Sequence, residues 1–181
     1  MPGQLMKKLS LPNALSVSRI PLAGLSFYTI VSGEWLLQAI IVACAVATDI
    51  IDGRLARHRQ QVSALGGLLD HGSDAIFVTA TLSALALGGW VPVVLPVLVA
   101  AAFTQYVLDS DALQGRPLRA SFLGRNNGIA YFVLAGFPGM QHALGFYPVP
   151  DVYFYWAGWV LIGTSLISML DRLVALLRRH R

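Results

Sequence analysis

A chain of 181 residues with 56% hydrophobic and 12% charged side chains cannot cover a water-soluble globule, whose charged fraction runs to about 25%. A mean hydropathy of +0.64 excludes disorder, and a lone cysteine, Cys44, excludes both a disulfide scaffold and a cysteine-based zinc site. The net charge of +4 would suggest nucleic acid in a soluble protein, but here the placement of the charges points to a membrane.

Residues 1–11 read as an interfacial lead-in carrying Lys7 and Lys8. Six hydrophobic spans follow, at about 12–32, 35–57, 66–88, 91–110, 126–140 and 152–176. Arg19 interrupts the first apolar run and no A-x-A site follows it, so the segment reads as a transmembrane helix rather than a cleaved signal. The fifth span is the weakest, diluted by Gly128, Gly136, Pro138 and Gly139. All thirteen basic residues fall near the N-terminus, around residues 54–59, at Arg116, Arg119 and Arg125, or from Arg172 onward. The three intervening loops carry Glu34 and Asp151 instead. Six spans with both termini and two loops in the cytoplasm satisfy this pattern. The aromatic stretch Tyr147 to Trp159 suits an interfacial belt on the opposite side. The whole chain, 1–181, reads as one membrane domain, without repeat or soluble linker.

The chemistry concentrates in residues 49–74, where four of the nine acids stand at the ends of two apolar spans. An ionised carboxylate at membrane depth costs about 2.5 kcal/mol or more, so something must compensate four of them. Asp49 and Asp52 are i and i+3, and Asp70 and Asp74 are i and i+4, so each pair shares a helix face. The short segment 58–64 makes the two helices antiparallel neighbours. From Arg57 back to Asp49 is about 12 Å of helix, and from Ser63 forward to Asp74 about 16 Å. The four carboxylates therefore reach comparable depth and form an oxygen cage suited to a hard divalent cation: Mg²⁺, Mn²⁺ or Ca²⁺. Two such ions would cancel the charge and equip the site for phosphoryl transfer. Gly53 and Gly66, with Gly67 and Gly72, leave the backbone open to a bulky ligand. Arg57 stands at the mouth, able to fork onto a diphosphate, and Arg54 and Ser63 are polar neighbours.

These residues resemble a known signature. The spacing D-x2-D-G-x2-A-R-x8-G-x3-D-x3-D is that of the CDP-alcohol phosphotransferases (CDP-alcohol phosphatidyltransferases), and Asp49, Asp52, Gly53, Ala56, Arg57, Gly66, Asp70 and Asp74 match every position. Pro12, Asn13, Leu15 and Arg19 are similar to the opening of that family's first span. The resemblance implies six transmembrane helices, a homodimer, and an active site open to the cytoplasm of a bacterial inner membrane. It implies an enzyme of phospholipid synthesis in which a phosphatidyl group passes from CDP-diacylglycerol to the hydroxyl of a small polar alcohol, and CMP leaves. Asp49, Asp52, Asp70 and Asp74 would hold two Mg²⁺, with Mn²⁺ as substitute, and Asp74 would also act as base. Gly53, Ala56, Arg57, Ser63 and Gly66 would contact the CDP group. Asn13, Arg19, Arg119 and Arg125 are weaker substrate-binding candidates.

Glycerol 3-phosphate is the leading acceptor. The stretch Thr104-Gln105-Tyr106 departs from the Ala-Arg-Glu common in glycerol-phosphate enzymes, which keeps inositol phosphate, serine, phosphatidylglycerol, or diacylglycerol with a soluble CDP-alcohol, in play. Membrane-edge acids can also line a divalent-ion transporter or channel; the intact spacing favours the transferase. The resemblance implies acceptor-binding groups near the fifth span, which favours Gly124 to Gly128, with Arg125, as the acceptor region. Among residues with plainer readings, Arg19 snorkels to the interface, Asn13 caps the first helix, and His71 packs or faces the surface. Asp109 and Asp111 are interfacial, and Cys44 is a small packing residue.

Overall fold

The computed structural model describes residues 11–58, 63–109 and 122–179, all of them helical apart from the turns. Six helices follow in order: α1 (Leu11–Val31), α2 (Trp35–His58), α3 (Ala64–Leu87), α4 (Val94–Asp109), α5 (Phe122–Leu144) and α6 (Val152–Arg179). They stand where the six spans were expected. Three of them, α1, Trp35–Leu55 of α2 and Val152–Ala175 of α6, are long and apolar enough to cross a membrane, and α4 is a shorter apolar helix. The acids at the head of α3 and the Arg125-Asn126-Asn127 stretch of α5 dilute those two below a transmembrane composition.

The bundle is inverted relative to a soluble protein. Leu36, Val97, Ile129, Trp156 and Leu170 face outward, whereas Arg19, Ser26, Thr29, Gln38 and Thr81 are completely buried. Lipid, not water, satisfies the outer face, and the polar groups turn inward to find one another. This is an integral membrane protein. Helix α1 packs on α2 and α3; α3 continues onto α4 and α5; α6 closes the far side against α4 and α5. Phe77 of α3 stacks on Phe132 of α5 with centroids 5.7 Å apart, at the middle of the core.

Small residues bring α2 and α5 together: a Cβ on Gly136 would meet Val42 at 2.9 Å, and one on Gly139 would meet Gln38 at 2.8 Å. That close approach is how membrane helices gain packing without a hydrophobic driving force. It also explains why α5 outruns the expected 126–140 segment at both ends. Gly136, Pro138 and Gly139 are buried against a neighbour, so tertiary contact holds the helix through residues that would break it in isolation.

The turns after α1 and α3 use one device. Gly33 (φ +73°) and Gly89 (φ +77°) take the left-handed conformation. Glu34 N–H then reaches Thr29 carbonyl at 2.8 Å, and Trp90 N–H reaches Leu85 carbonyl at 3.0 Å. These Schellman ends satisfy the last carbonyls and reverse the chain. Above them an aromatic layer packs Trp35 and Trp90 on the His142 ring, each 4.8 Å away. Tyr153, Trp156 and Trp159 of the expected belt are exposed. Cys44 is exposed rather than packed: it lies on the outward face of α2, where a small apolar side chain meets lipid at no cost.

Candidate functional site

The acids come together where α1, α2 and α3 meet. Asp49, Asp52 and Asp70 each offer an oxygen within 4.8 Å of the others, and a second group, Asp70, His71 and Asp74, does the same. Two facing helices thus deliver the constellation expected from the i, i+3 and i, i+4 spacings. Ser63 starts α3 as its N-cap, its Oγ accepting from Gly66 N–H at 2.9 Å. The cap fixes where the first turn begins, and therefore the phase of Asp70 and Asp74. Gly66 lies against α1: a Cβ there would stand 3.1 Å from Asn13 Oδ1 and 3.1 Å from Ser63 Oγ.

Arg19 is the largest departure from the sequence reading. It does not snorkel. Its side chain is 0% exposed and sits amid all four aspartates, with Nη1 3.4 Å from Asp49 and 3.3 Å from Asp52, and Nε 2.9 Å from Asp74. Nη2 is paired with Asp70 Oδ1. Burial with four counter-charges available outweighs a route to the interface. Ser16, one turn earlier, contacts Asp52 Oδ2 at 2.8 Å. Neither role was drawn from the sequence, yet a signal was there: Asn13, Ser16, Arg19, Ser26 and Thr29 place polar groups on the single face that α1 buries.

His71 is exposed, as expected. It is three residues before Asp74, hence its neighbour on the helix surface, and its ring faces Tyr106 at 6.2 Å. Ala56 and Arg57 lie in the last turns of α2, but their side chains fall outside the described residues, as do Asp109's side chain, Asp111 and Arg119. Arg125 is exposed and Asn127 buried, both near the head of α5.

A cavity of about 590 Å³ opens beside the acids, within the range of ligand pockets. Asp49, His71 and Asp74 form one wall; Arg125, Asn127 and Arg172 add polar groups; Val78, Val99 and Phe132 are among its apolar walls. Arg172 lies 4.6 Å over the Tyr106 ring, a cation–π contact that holds both side chains at the cavity.

The donor set fits a hard divalent ion. It is carboxylate oxygen with one imidazole, and among the described residues one guanidinium pairs with four acids, which leaves a surplus of negative charge. Asp74 Oδ1 is buried and, although near Arg19, accepts no hydrogen bond. A buried carboxylate oxygen that has an ion pair but no hydrogen bond, beside other carboxylates, keeps lone pairs that a hard cation can use.

The sequence profile of CDP-alcohol phosphatidyltransferases matches residues 9–171. The chain belongs to that family. Among curated relatives, it is 29% identical to a cardiolipin synthase (CMP-forming) of Streptomyces coelicolor over 128 residues, which is 65% of this chain and 59% of that protein. It is 34% identical to the human cardiolipin synthase (CMP-forming) over 50% of this chain and 30% of that one. It is also 34% identical to a CDP-diacylglycerol–glycerol-3-phosphate 3-phosphatidyltransferase of Pseudomonas fluorescens, over 41% of this chain and 40% of that one. The chain thus spans less than two thirds of the length of each of these relatives.

Proposed function

We propose that this chain is an enzyme of phospholipid synthesis that moves a phosphatidyl group from CDP-diacylglycerol to the hydroxyl of a small polar alcohol, glycerol 3-phosphate first among them, with release of CMP. The observation that carries the reading is the convergence of the four motif aspartates on Arg19, with Asp49 and Asp74 lining the adjoining cavity. Family membership supports the reaction class.

In this reading residues 1–181 form one domain of six spans in a bacterial inner membrane. Both termini and the acidic site face the cytoplasm, as the distribution of Lys and Arg favours. The chain works as a homodimer. Asp49, Asp52, Asp70 and Asp74 hold two Mg²⁺, or Mn²⁺ in their place. When bound, the ions polarise the diphosphate of the donor and offset the charge that builds on the departing CMP. Gly53 and Gly66 let the nucleotide approach the backbone, and the Ser63 hydroxyl keeps a free lone pair and a proton for it while capping α3. Arg57 forks onto the leaving phosphate. Asp74 takes the proton of the acceptor hydroxyl. The acceptor oxygen attacks the lipid-side phosphorus in line, and the phosphorus–oxygen bond to CMP breaks. The diacyl tails stay in lipid. Arg125 and Arg172, on the cavity wall, suit an acceptor phosphate.

The apolar share of the cavity wall favours a second reading, in which the acceptor is itself a lipid such as phosphatidylglycerol, and the cardiolipin synthase relatives point the same way. One assay separates the readings. Purified protein receives CDP-diacylglycerol, Mg²⁺ and one acceptor at a time, and CMP is measured. CMP with glycerol 3-phosphate supports the first reading, and CMP with phosphatidylglycerol the second. No CMP with any acceptor, under Mg²⁺ or Mn²⁺, overturns both in favour of ion transport.

A further inference from the structure

We propose that Arg19 is the resident counter-cation of the acidic cluster: it holds the four carboxylates together in the absence of metal and competes with divalent ions for them, so setting how tightly the site takes its metal. The inference rests on the reading that these aspartates bind a divalent ion.

Three observations support it. First, the guanidinium reaches every acid of the motif, through Nη1, Nη2 and Nε separately. Arginine stays charged under all relevant conditions, and its planar fork addresses several carboxylates at once. Second, Arg19 is anchored by groups that are not acids: Nε donates to Ser73 Oγ at 3.3 Å, and Nη2 lies 3.5 Å from the main-chain carbonyl of Asp70. Ser73 is itself fixed, its hydroxyl donating to the same carbonyl at 2.9 Å. The positive charge is therefore built into α3 packing and does not depend on any one carboxylate. Third, Asp52 is 3% exposed, so its charge has little water to fall back on, and removing its cation would leave a buried charge uncompensated.

A cation held within 3.5 Å of the oxygens that would bind a divalent ion must weaken that ion's hold, and by reciprocity the ion weakens the hold of Arg19. Arg19 is a positioning residue for the carboxylates. Its presence makes the empty site stable and the filled site exchangeable.

The test compares wild type, R19Q, R19K and the charge-compensated double variant R19Q/D52N in detergent. Unfolding is followed by tryptophan fluorescence in EDTA and across an Mg²⁺ titration, and Mn²⁺ binding is followed by electron paramagnetic resonance. In EDTA, R19Q should unfold about 5 °C or more below wild type, and saturating Mg²⁺ should restore most of that difference. Mn²⁺ should bind R19Q at least tenfold more tightly, with R19K between the two. The double variant should regain the metal-free stability that R19Q loses. If R19Q unfolds equally early in EDTA and in Mg²⁺, or binds Mn²⁺ no more tightly than wild type, the proposal is overturned. Should R19Q fail to fold, the double variant decides: folding supports charge compensation, and failure assigns Arg19 to packing. Wild type that binds no Mn²⁺ overturns the metal reading instead, and the metal-free comparison of R19Q with the double variant still judges Arg19.

Discussion

Helices α1, α2 and α3 hold two polar clusters, and the two are built on opposite terms. The neutral one joins Ser26, Thr29, Gln38 and Thr81, all 0% exposed. Ser26 and Thr81 hydroxyls are 2.6 Å apart, Thr29 donates to Gln38 Oε1 at 2.8 Å, and Gln38 Nε2 donates to Ser26 at 3.1 Å. Every one of these side chains is partnered within the cluster. Seven residues back along α1, about 10 Å, Arg19 faces four carboxylates and is, among the described residues, the single cation paired with them. The first cluster is complete and serves as interhelical glue. The second is incomplete, which a membrane interior tolerates when a ligand finishes it. The helices are the same, but the Asp49, Asp70 and Asp74 side chains keep 46%, 29% and 27% exposure where the neutral cluster has none, and that opening together with the surplus charge separates a chemical cluster from a structural one.

The comparison breaks most sharply if each cluster can be disabled without the other. D70N should lower CMP release at least about 10³-fold, since Asp70 belongs to both ligand groups. Its metal-free unfolding temperature should stay within a few degrees of wild type, because three carboxylates still face Arg19. An active D70N would move the chemistry elsewhere. The next effect in size falls on the neutral cluster. G139A places a Cβ 2.8 Å from Gln38 Cγ, and Gln38 cannot swing aside without giving up its bonds to Ser26 and Thr29. The expected cost is about 1–3 kcal/mol, read as a lower unfolding temperature, with CMP release per folded molecule preserved.

The two clusters were also unequally legible in the sequence. The acids announced themselves because charge in an apolar run is rare and because Asp49, Asp52, Asp70 and Asp74 keep helical spacing; periodicity alone put them on facing surfaces. The positions of the six helices were readable for the same reason. What periodicity does not carry is how deep a face is buried and against what. Composition alone therefore puts Arg19 at the interface, although the polar stripe Asn13, Ser16, Arg19, Ser26, Thr29 shows that this face of α1 turns inward. His71 keeps the surface position expected of it, and its i, i+3 relation to Asp74 still brings the pair together. The length of α5 was hidden because its Gly and Pro signal an end in isolation and a close contact in company.

Ser16 tests the border between the clusters, since it is a neutral group in the charged site. S16A removes the 2.8 Å contact to Asp52 and should lower CMP release about tenfold, with little change in unfolding temperature, because Asp52 keeps Arg19. The smallest effect should come from Q38L. Leucine fills similar volume but loses the bonds to Ser26 and Thr29. Hydrogen bonds between membrane helices are worth about 0.6 kcal/mol on average and rarely above about 1.7 kcal/mol. Ser26 and Thr81 would still bond to each other, which keeps the loss near the lower figure. Q38L should therefore unfold a few degrees early and turn over at the wild-type rate. A Q38L protein that is fully stable but slow would mean that the neutral cluster acts on the site through α1, and that the division between glue and chemistry is not where the two clusters place it.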